Sequence, residues 1–296
     1  MAVIIDGKKI SAEIRGELAV EVKALKEKTG KTPGLAVIMI GDSAASEVYV
    51  GNKIKACADT GINSFHHKFD STYSQKELIA LIDKLNADPS VNGILVQLPL
   101  PSGIDEVTVL NRIDPLKDAD GFHPVNTGKL VIGDPDCFYP CTPYGIQELI
   151  VRYMPDISGK HLVVVGRSNI VGKPIANMMV QKNKRANCIV TMCHTAAPDI
   201  SYYTKQADIL VVAAGRANTV TADMVKDGVV VIDVGVNRLP DPANPGKTKL
   251  YGDVDFEGVS QKASAITPVP GGVGPMTITM LLKNTVKAFR IQNSVL

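Results

Sequence analysis

The chain of 296 residues has no tryptophan, and aromatic residues make up only 5% of it. Platforms that stack the bases of single-stranded nucleic acid are built from aromatic rings, so that class is disfavoured. An excess of one charge is missing too. Lys and Arg number 32 against 30 Asp and Glu, a net charge of +2, without the basic surplus that a phosphate backbone demands. No apolar run approaches the ~18 residues that span a bilayer. The opening MAVIIDGKKI reaches Asp6 and Lys8 too early for the apolar core of a secretory leader. The expectation is a cytoplasmic protein that binds neither nucleic acid nor membrane. Cysteine is scarce as well: Cys57, Cys137, Cys141, Cys188 and Cys193 are odd in number and loosely spaced, which reads as reduced thiols rather than a disulfide framework. Cys137 with Cys141, or Cys193 with His194, could start a metal site, but no four-ligand set at zinc spacing completes one. No metal is expected.

What the chain does have is 45% hydrophobic residues, ample for the cores of two domains. Near-continuous apolar runs recur at 34–41 (GLAVIMIG), 92–100, 161–166, 208–215 and 229–235. Runs of this kind suit strands buried on both faces of a parallel sheet. Amphipathic stretches at 10–28, 44–58, 75–87 and 172–182 lie between them. Strand alternating with helix makes the fold class α/β. The segment 120–142 is dense in Gly, Pro, Asp and Asn and reads as the connection between two halves. Thr142 followed by Pro143 reads as an N-cap with proline at the first helical position. The stretch 237–253 reads as surface punctuation.

In the second half, HLVVVGRSNIVGKPIANMM places Gly166 directly after a buried strand and Gly172 at the start of a helix. This is the layout of the first βα turn of a Rossmann unit, where glycine lets the backbone approach a phosphate and the helix N-terminus supplies N–H groups. The spacing is not G-x-G-x-x-G, so taken alone it also fits an ordinary strand–helix turn. Arg167 and Ser168 in that turn suit phosphate contacts. The next strand, 188–193, ends in His194 and Thr195, with no acidic residue before Asp199 to take a ribose 2′-hydroxyl. Arg167 with Thr195 would instead accept a 2′-phosphate, which favours NADP over NAD. Glycines at 213–220 and 233–237 end the following strands on the same rim.

The first half carries a second set. Tyr49 and Lys53 stand four residues apart in SEVYVGNKIKACADTGI, one turn of a helix and one face. A lysine so placed is most often a solvated charge. Projecting into a cleft, the pair would form an aromatic platform beside a proton-handling amine. Gln97 ends the strand GILVQLPLP, and KDADGFHP brings Asp118 and Asp120. One of these aspartates caps a turn; the other is free to accept paired N–H groups from a polar heterocycle.

Taken in order, YVGNK, GILVQLPLP, KDADGFHP, PCTP, VVVGRSNIVGKP and TPVPGGVGPMT resemble the bifunctional methylenetetrahydrofolate dehydrogenase/cyclohydrolase family over essentially the whole chain. The resemblance implies two βα domains around a cleft. Residues 1–142 would form a catalytic folate-binding domain, completed by a C-terminal helix at 276–296, and residues 143–275 a Rossmann NADP-binding domain with a parallel sheet. It implies a homodimer acting on tetrahydrofolate one-carbon derivatives. NADP-dependent oxidation of 5,10-methylenetetrahydrofolate would be followed by hydrolysis of the methenyl product to 10-formyltetrahydrofolate. The alternative is a dehydrogenase-only relative using NAD. Tyr49 would stack on the folate, Lys53 would be the essential cyclohydrolase group beside Gln97, and Asp120 would grip the pterin. Val96, Leu98, Pro270, Gly271, Gly272 and Gly274 would complete the substrate contacts. Gly166, Arg167, Ser168, His194, Thr195 and Val236 would hold NADP. Three departures stand out: Thr195 where serine is common, and fuller stretches at 181–191 and 237–253.

The glycine- and proline-rich ITPVPGGVGPMT (266–277) then reads as the last Rossmann strand at 266–269 followed by a substrate-side wall. Its glycines admit close approach of a ligand, and Pro270 and Pro275 stiffen the loop.

Overall fold

The computed structural model describes residues 1–42, 44–241, 244 and 246–295. In chain order its elements are β1 (Val3–Ile4), α1 (Gly7–Thr29), β2 (Gly34–Ile40), α2 (Ala44–Thr60), β3 (Asn63–Phe69), α3 (Gln75–Ala87), β4 (Gly93–Val96), α4 (Glu106–Arg112), α5 (Pro124–Ile132), α6 (Cys141–Tyr153), β5 (His161–Val165) and α7 (Gly172–Met179). They continue with β6 (Ile189–Cys193), α8 (Ser201–Thr204), β7 (Ile209–Val212), β8 (Val230–Asp233), β9 (Asn237–Pro240), β10 (Thr248–Tyr251), α9 (Phe256–Val259), β11 (Ala265–Ile266) and α10 (Val273–Gln292). The chain divides into two compact units, one made of residues 1–11 and 142–277, the other of residues 12–141 and those from Ile278 on.

The first unit is built on a six-stranded sheet in the order β1-β11-β8-β7-β5-β6, parallel throughout. Val163, Val165, Leu210, Val212, Val231 and Ile266 are at most 1% exposed and form its core. Their unbroken apolar runs were legible because helices cover both faces of such a sheet. Read from the β6 edge, β6-β5-β7-β8-β11 follows the 2-1-3-4-5 order of doubly wound sheets. The direction of winding reverses between β5 and β7, so the carboxyl ends of those two strands flank the switch point.

The second unit holds a smaller parallel sheet, β3-β2-β4. All of β2 is buried. α3 lays Leu78, Ile82 and Leu85 on one buried stripe and starts in a capping box. There Ser74 N donates to Glu77 Oε2 at 2.8 Å and Glu77 N donates to Ser74 Oγ at 3.3 Å, an arrangement that contributes about 1 kcal/mol.

The structure departs from the sequence expectation in four places. Residues 1–11 group with the unit of the six-stranded sheet rather than with the first-half domain, because β1 pairs with β11 (Val3 with Ala265, Ile4 with Ile266). A strand of two residues carries no readable periodicity. The stretch 237–253 is not plain punctuation. It forms an antiparallel hairpin in which Asn237 pairs with Tyr251 and Pro240 with Thr248; its residues 242, 243 and 245 lie outside the described residues. The polar make-up of NRLP and TKLY hid both strands. α6 starts at Cys141, so Thr142 lies inside the helix and shares a 2.9 Å hydrogen bond with the Thr277 hydroxyl instead of capping. Pro143 is tolerated there because N–H groups of a first helical turn have no partner within the helix. Finally, β11 ends at Ile266 and α10 begins at Val273, which leaves 267–269 as loop and places Gly274 in a helical turn.

Among the described residues no helix is long and apolar enough to cross a membrane. All five cysteines are buried and free.

Candidate active site and cofactor pocket

α2 places its buried stripe at Val50, Lys53, Ala56, Cys57 and Thr60, each at most 8% exposed. Lys53 is therefore in the interior, where the usual fate of a lysine would have put it in water. Tyr49, one turn earlier, is 48% exposed. Lys53 Nζ donates to Gln97 Oε1 at 2.8 Å, and Gln97 Nε2 donates to the Leu98 carbonyl at 2.7 Å. The second bond turns the amide so that its oxygen faces the lysine. Gln97 N donates to Ile38 O at 2.8 Å, which holds the residue just past the carboxyl end of β4. Burial pushes the Lys53 pKa below its ordinary value, while the negative charges of Asp120 and, if ionised, Cys141 oppose that shift. The amide of Gln97 is neutral and adds no charge to that of Asp120, and the net shift is downward.

The two aspartates of KDADGFHP separate cleanly. Asp118 is 4% exposed. Its Oδ1 accepts from Gly121 N at 3.0 Å and Phe122 N at 3.2 Å; its Oδ2 accepts from His123 N at 2.9 Å and Asn126 Nδ2 at 2.8 Å. Burial drives its pKa up and these donors pull it down. Asp118 is the turn builder. Asp120 takes no part in that turn. Burial raises its carboxyl pKa and the Lys53 charge lowers it. Gly121, directly after Asp120, has φ +74°, and a Cβ there would lie 2.6 Å from Pro140 N.

Two residues that sequence reasoning did not select complete this corner. Asn284, 1% exposed on α10, donates from Nδ2 to the carbonyls of Ala119 and Tyr139, each at 2.9 Å. The Cys141 thiol donates to Ala119 O at 3.3 Å, and burial raises its pKa well above the ordinary thiol value. The signal for Asn284 was an amide within the apolar face of MLLKNTVKAF, and Cys141 sits in the PCTP motif.

In the other unit, a cavity of about 210 Å³ opens at the switch point of the six-stranded sheet. Gly166, Arg167, Ser168, His194 and Thr195 line it, joined by Ala213, Ala214 and Thr219, which the sequence reading had named only as part of a glycine-rich rim. Gly166 has φ +123°, and a Cβ there would lie 2.2 Å from Ala213 O; a Cβ on Gly172 would lie 2.3 Å from Gly166 O. Both glycines are required by contact with backbone. Ser168 Oγ accepts from Val171 N at 3.1 Å and Gly172 N at 3.2 Å, capping the start of α7. Its own O–H remains to donate. His194 Nδ1 accepts from Ala196 N at 3.2 Å. The lining includes the Arg167 cation and no carboxylate. It fits a phosphorylated ribose better than a free 2′-hydroxyl. Val236, by contrast, is 60% exposed and does not line this cavity.

A doubly wound parallel sheet with a glycine-lined cavity at its switch point, in a chain that also carries a buried lysine–amide pair on a second α/β unit, defines the class as a dinucleotide-binding α/β protein. The chain belongs to the tetrahydrofolate dehydrogenase/cyclohydrolase family: residues 5–120 match its catalytic domain and residues 140–293 its NAD(P)-binding domain. It is 60% identical to the bifunctional protein FolD of Chlorobium luteolum over 98% of this chain and 99% of that protein. Among solved structures it resembles the bifunctional enzyme FolD, methylenetetrahydrofolate dehydrogenase/cyclohydrolase, of Campylobacter jejuni. The TM-score is 0.91 at 49% identity, with 98% of this chain and 99% of that one covered. The Trypanosoma brucei methylenetetrahydrofolate dehydrogenase-cyclohydrolase, solved with NADP cofactor and inhibitor, gives a TM-score of 0.90 at 40% identity, covering 98% of each chain.

Proposed function

We propose that the chain oxidises 5,10-methylenetetrahydrofolate with NADP and hydrolyses the resulting 5,10-methenyl compound to 10-formyltetrahydrofolate. The observation that carries this reading is the pairing of the buried Lys53 with the half-buried Gln97, 2.8 Å apart, in a chain that also has the glycine-lined cavity at its switch point. NADP, when bound, supplies the two-electron oxidation. The side chains do the rest. Arg167 and Thr195 would hold the 2′-phosphate, and the Ser168 O–H and the N-terminus of α7 would meet the remaining phosphates. Thr195 keeps the hydroxyl of the more common serine and narrows the pocket by a methyl group.

On the folate side, Tyr49 is assigned to stack on the substrate and Asp120 to accept N–H groups of the pterin. Val96, Leu98 and the loop Pro270–Gly274 are assigned to the same ligand. The methenyl compound is a cation open to water. As the water oxygen bonds to the bridging carbon, one carbon–nitrogen bond breaks, a formyl group stays on the other nitrogen, and a proton is released. Lys53, with its pKa lowered by burial, takes or steers that proton, and Gln97 fixes where its Nζ points. We assign residues 12–141 with the end of α10 to folate chemistry and residues 142–277, apart from the loop Pro270–Gly274, to the dinucleotide.

The same reading makes the protein a cytoplasmic homodimer that supplies one-carbon units for purine, methionine and histidine synthesis. The exposed apolar side chains of edge strand β6, Ile189 at 64% and Met192 at 42%, support self-association of the dinucleotide unit.

A single coupled assay tests the reading. With methylenetetrahydrofolate and NADP, reduced dinucleotide and methenyl compound are expected to form together, and the methenyl signal then to decay. No reduction with either dinucleotide would reject it. Equal turnover with NAD, or an Arg167→Ala variant that keeps its NADP preference, would reject the role given to Arg167.

A further inference from the structure

Behind the β7 side of the cavity lies a knot of two buried carboxylates. Asp253 is 0% exposed and Asp233 is 3% exposed. Asp253 Oδ2 accepts from two successive backbone groups, Ala214 N at 2.7 Å and Gly215 N at 2.8 Å. Its Oδ1 accepts from Asn237 Nδ2 at 2.8 Å. Asp233 in turn anchors the backbone beneath it. Its Oδ1 accepts from Asp253 N and Gly235 N, each at 2.9 Å, and its Oδ2 from Val254 N at 3.1 Å. Two glycines make room for the knot: a Cβ on Gly235 would lie 2.3 Å from Asp253 Oδ1, and one on Gly252 would lie 1.7 Å from Asp233 Oδ2. Among the described residues neither carboxylate has an ion-pair partner.

A buried carboxylate without an ion-pair partner depends on hydrogen bonds to its oxygens. Donors approach Asp253 on both of its oxygens. A carboxylate accepts on both; an amide accepts on one and donates on the other. The arrangement therefore selects aspartate over asparagine at 253, and asparagine, as a donor, over aspartate at 237. What the carboxylate holds is the segment leaving β7. Ala213 N is tied to Val165 O at 2.8 Å, and beyond it the successive N–H groups of Ala214 and Gly215 both end on Asp253. Ala213 and Ala214 form the wall of the cavity that faces Gly166.

We infer that Asp253, oriented by Asn237, is a positioning residue for the dinucleotide, holding the β7 wall of the cavity in the shape that takes NADP. It acts through Ala214 and Gly215 and touches no reacting group. The inference rests on the assignment of that cavity to NADP. It also gives the hairpin β9–β10 a task, since Asn237 is the first residue of β9.

The test uses the full-length protein and two readouts: the NADP dissociation constant by titration calorimetry, and methenyltetrahydrofolate hydrolysis without NADP, which depends on Lys53. In Asp253→Asn the new amide nitrogen faces Asn237 Nδ2, donor against donor. NADP affinity is expected to fall about tenfold while hydrolysis stays within about twofold of the parent. Unchanged NADP affinity in Asp253→Asn overturns the proposal. So does a parallel loss of both readouts, which would make Asp253 a general support of the fold. If Asp253→Asn does not fold, Asn237→Ala decides. About threefold weaker NADP binding with intact hydrolysis supports the proposal, and unchanged binding overturns it. A parent that binds no dinucleotide overturns the cavity assignment itself, and the proposal with it.

Discussion

Lys53 and Gln97 stand 44 residues apart in the chain and meet through one hydrogen bond, Nζ to Oε1 at 2.8 Å. The partner chosen for a buried ammonium is thus a neutral amide, whereas the nearby carboxylates are Asp120, which acts on it as a charge, and Asp118, which is committed to its own turn. An amide fixes the direction of the amine without holding its proton. A carboxylate in the same place would lock the lysine in its charged form.

Replacing Lys53 by methionine keeps the length of the side chain and removes the amine. Hydrolysis of the methenyl compound is expected to drop by about 10²–10⁴-fold, the usual contribution of a positioned proton-transfer group. The melting temperature is expected to hold or rise, because an apolar side chain replaces a buried ammonium at a site that is 8% exposed. Unimpaired hydrolysis in this folded variant would remove Lys53 from the chemistry.

The pH profile of hydrolysis follows from the same geometry. The neutral fraction of Lys53 grows as pH rises through its pKa, and burial places that pKa below the ordinary 10.5. The rate is expected to climb along a limb that lies below pH 10.5. The stability linkage has the same sign: with the folded pKa depressed, the native state binds fewer protons than the unfolded one between the two values, so Lys53 costs stability at neutral pH and the cost vanishes above 10.5. Gln97→Glu supplies a carboxylate and is expected to move the limb upward. A limb in Gln97→Glu that coincides with the parent's would show that the titrating group is not Lys53.

Asp118 and Asp120 are two residues apart and should behave oppositely. Asp118→Ala removes the side-chain acceptor shared by three backbone N–H groups and the Asn126 amide and is expected to destabilise by about 3 kcal/mol in urea unfolding. Asp120→Asn breaks no bond in that turn. It is expected to leave the urea midpoint nearly unchanged and to weaken folate binding instead, read as a raised KM. Similar urea midpoints for the two variants would contradict the division of labour.

How much of this was legible beforehand depends on where the information lay. The buried strands β2, β5, β7 and β8 were visible because continuous apolar runs in a covered parallel sheet leave an unambiguous mark. The pair Tyr49 and Lys53 was visible from its four-residue spacing, and Gly166 from its place after a strand. β1 and β11 were not visible as partners, since two-residue strands owe their existence to a neighbouring edge rather than to their own pattern. The hairpin from Asn237 to Tyr251 was hidden by polar residues on both strands. Asn284 and Asp253 were missed for a related reason. Each acts by donating to, or accepting from, backbone that is remote in sequence, and nothing in the local string records which carbonyl or N–H will be brought there. KDADGFHP showed that one aspartate would build a turn, and the N–H groups of Gly121, Phe122 and His123 identify it as Asp118.

Gly274 separates the demands of folding from those of the substrate. The loop before it is sterically bound to glycine: Gly271 has φ +110°, and a Cβ on Gly272 would lie 2.6 Å from Pro268 O. Gly274 differs, with nothing within 4 Å of an added Cβ and a position in the first turn of α10. The fold itself therefore gives no reason for glycine there, and alanine is expected to stabilise the helix by about 0.5 kcal/mol. If the position is glycine because the folate comes against it, Gly274→Ala should raise the KM for methylenetetrahydrofolate several-fold while the melting temperature rises slightly and NADP affinity stays put. A variant that is more stable and unchanged in KM would remove Gly274 from the substrate contacts and leave Gly271 and Gly272 as purely structural glycines of the turn into α10.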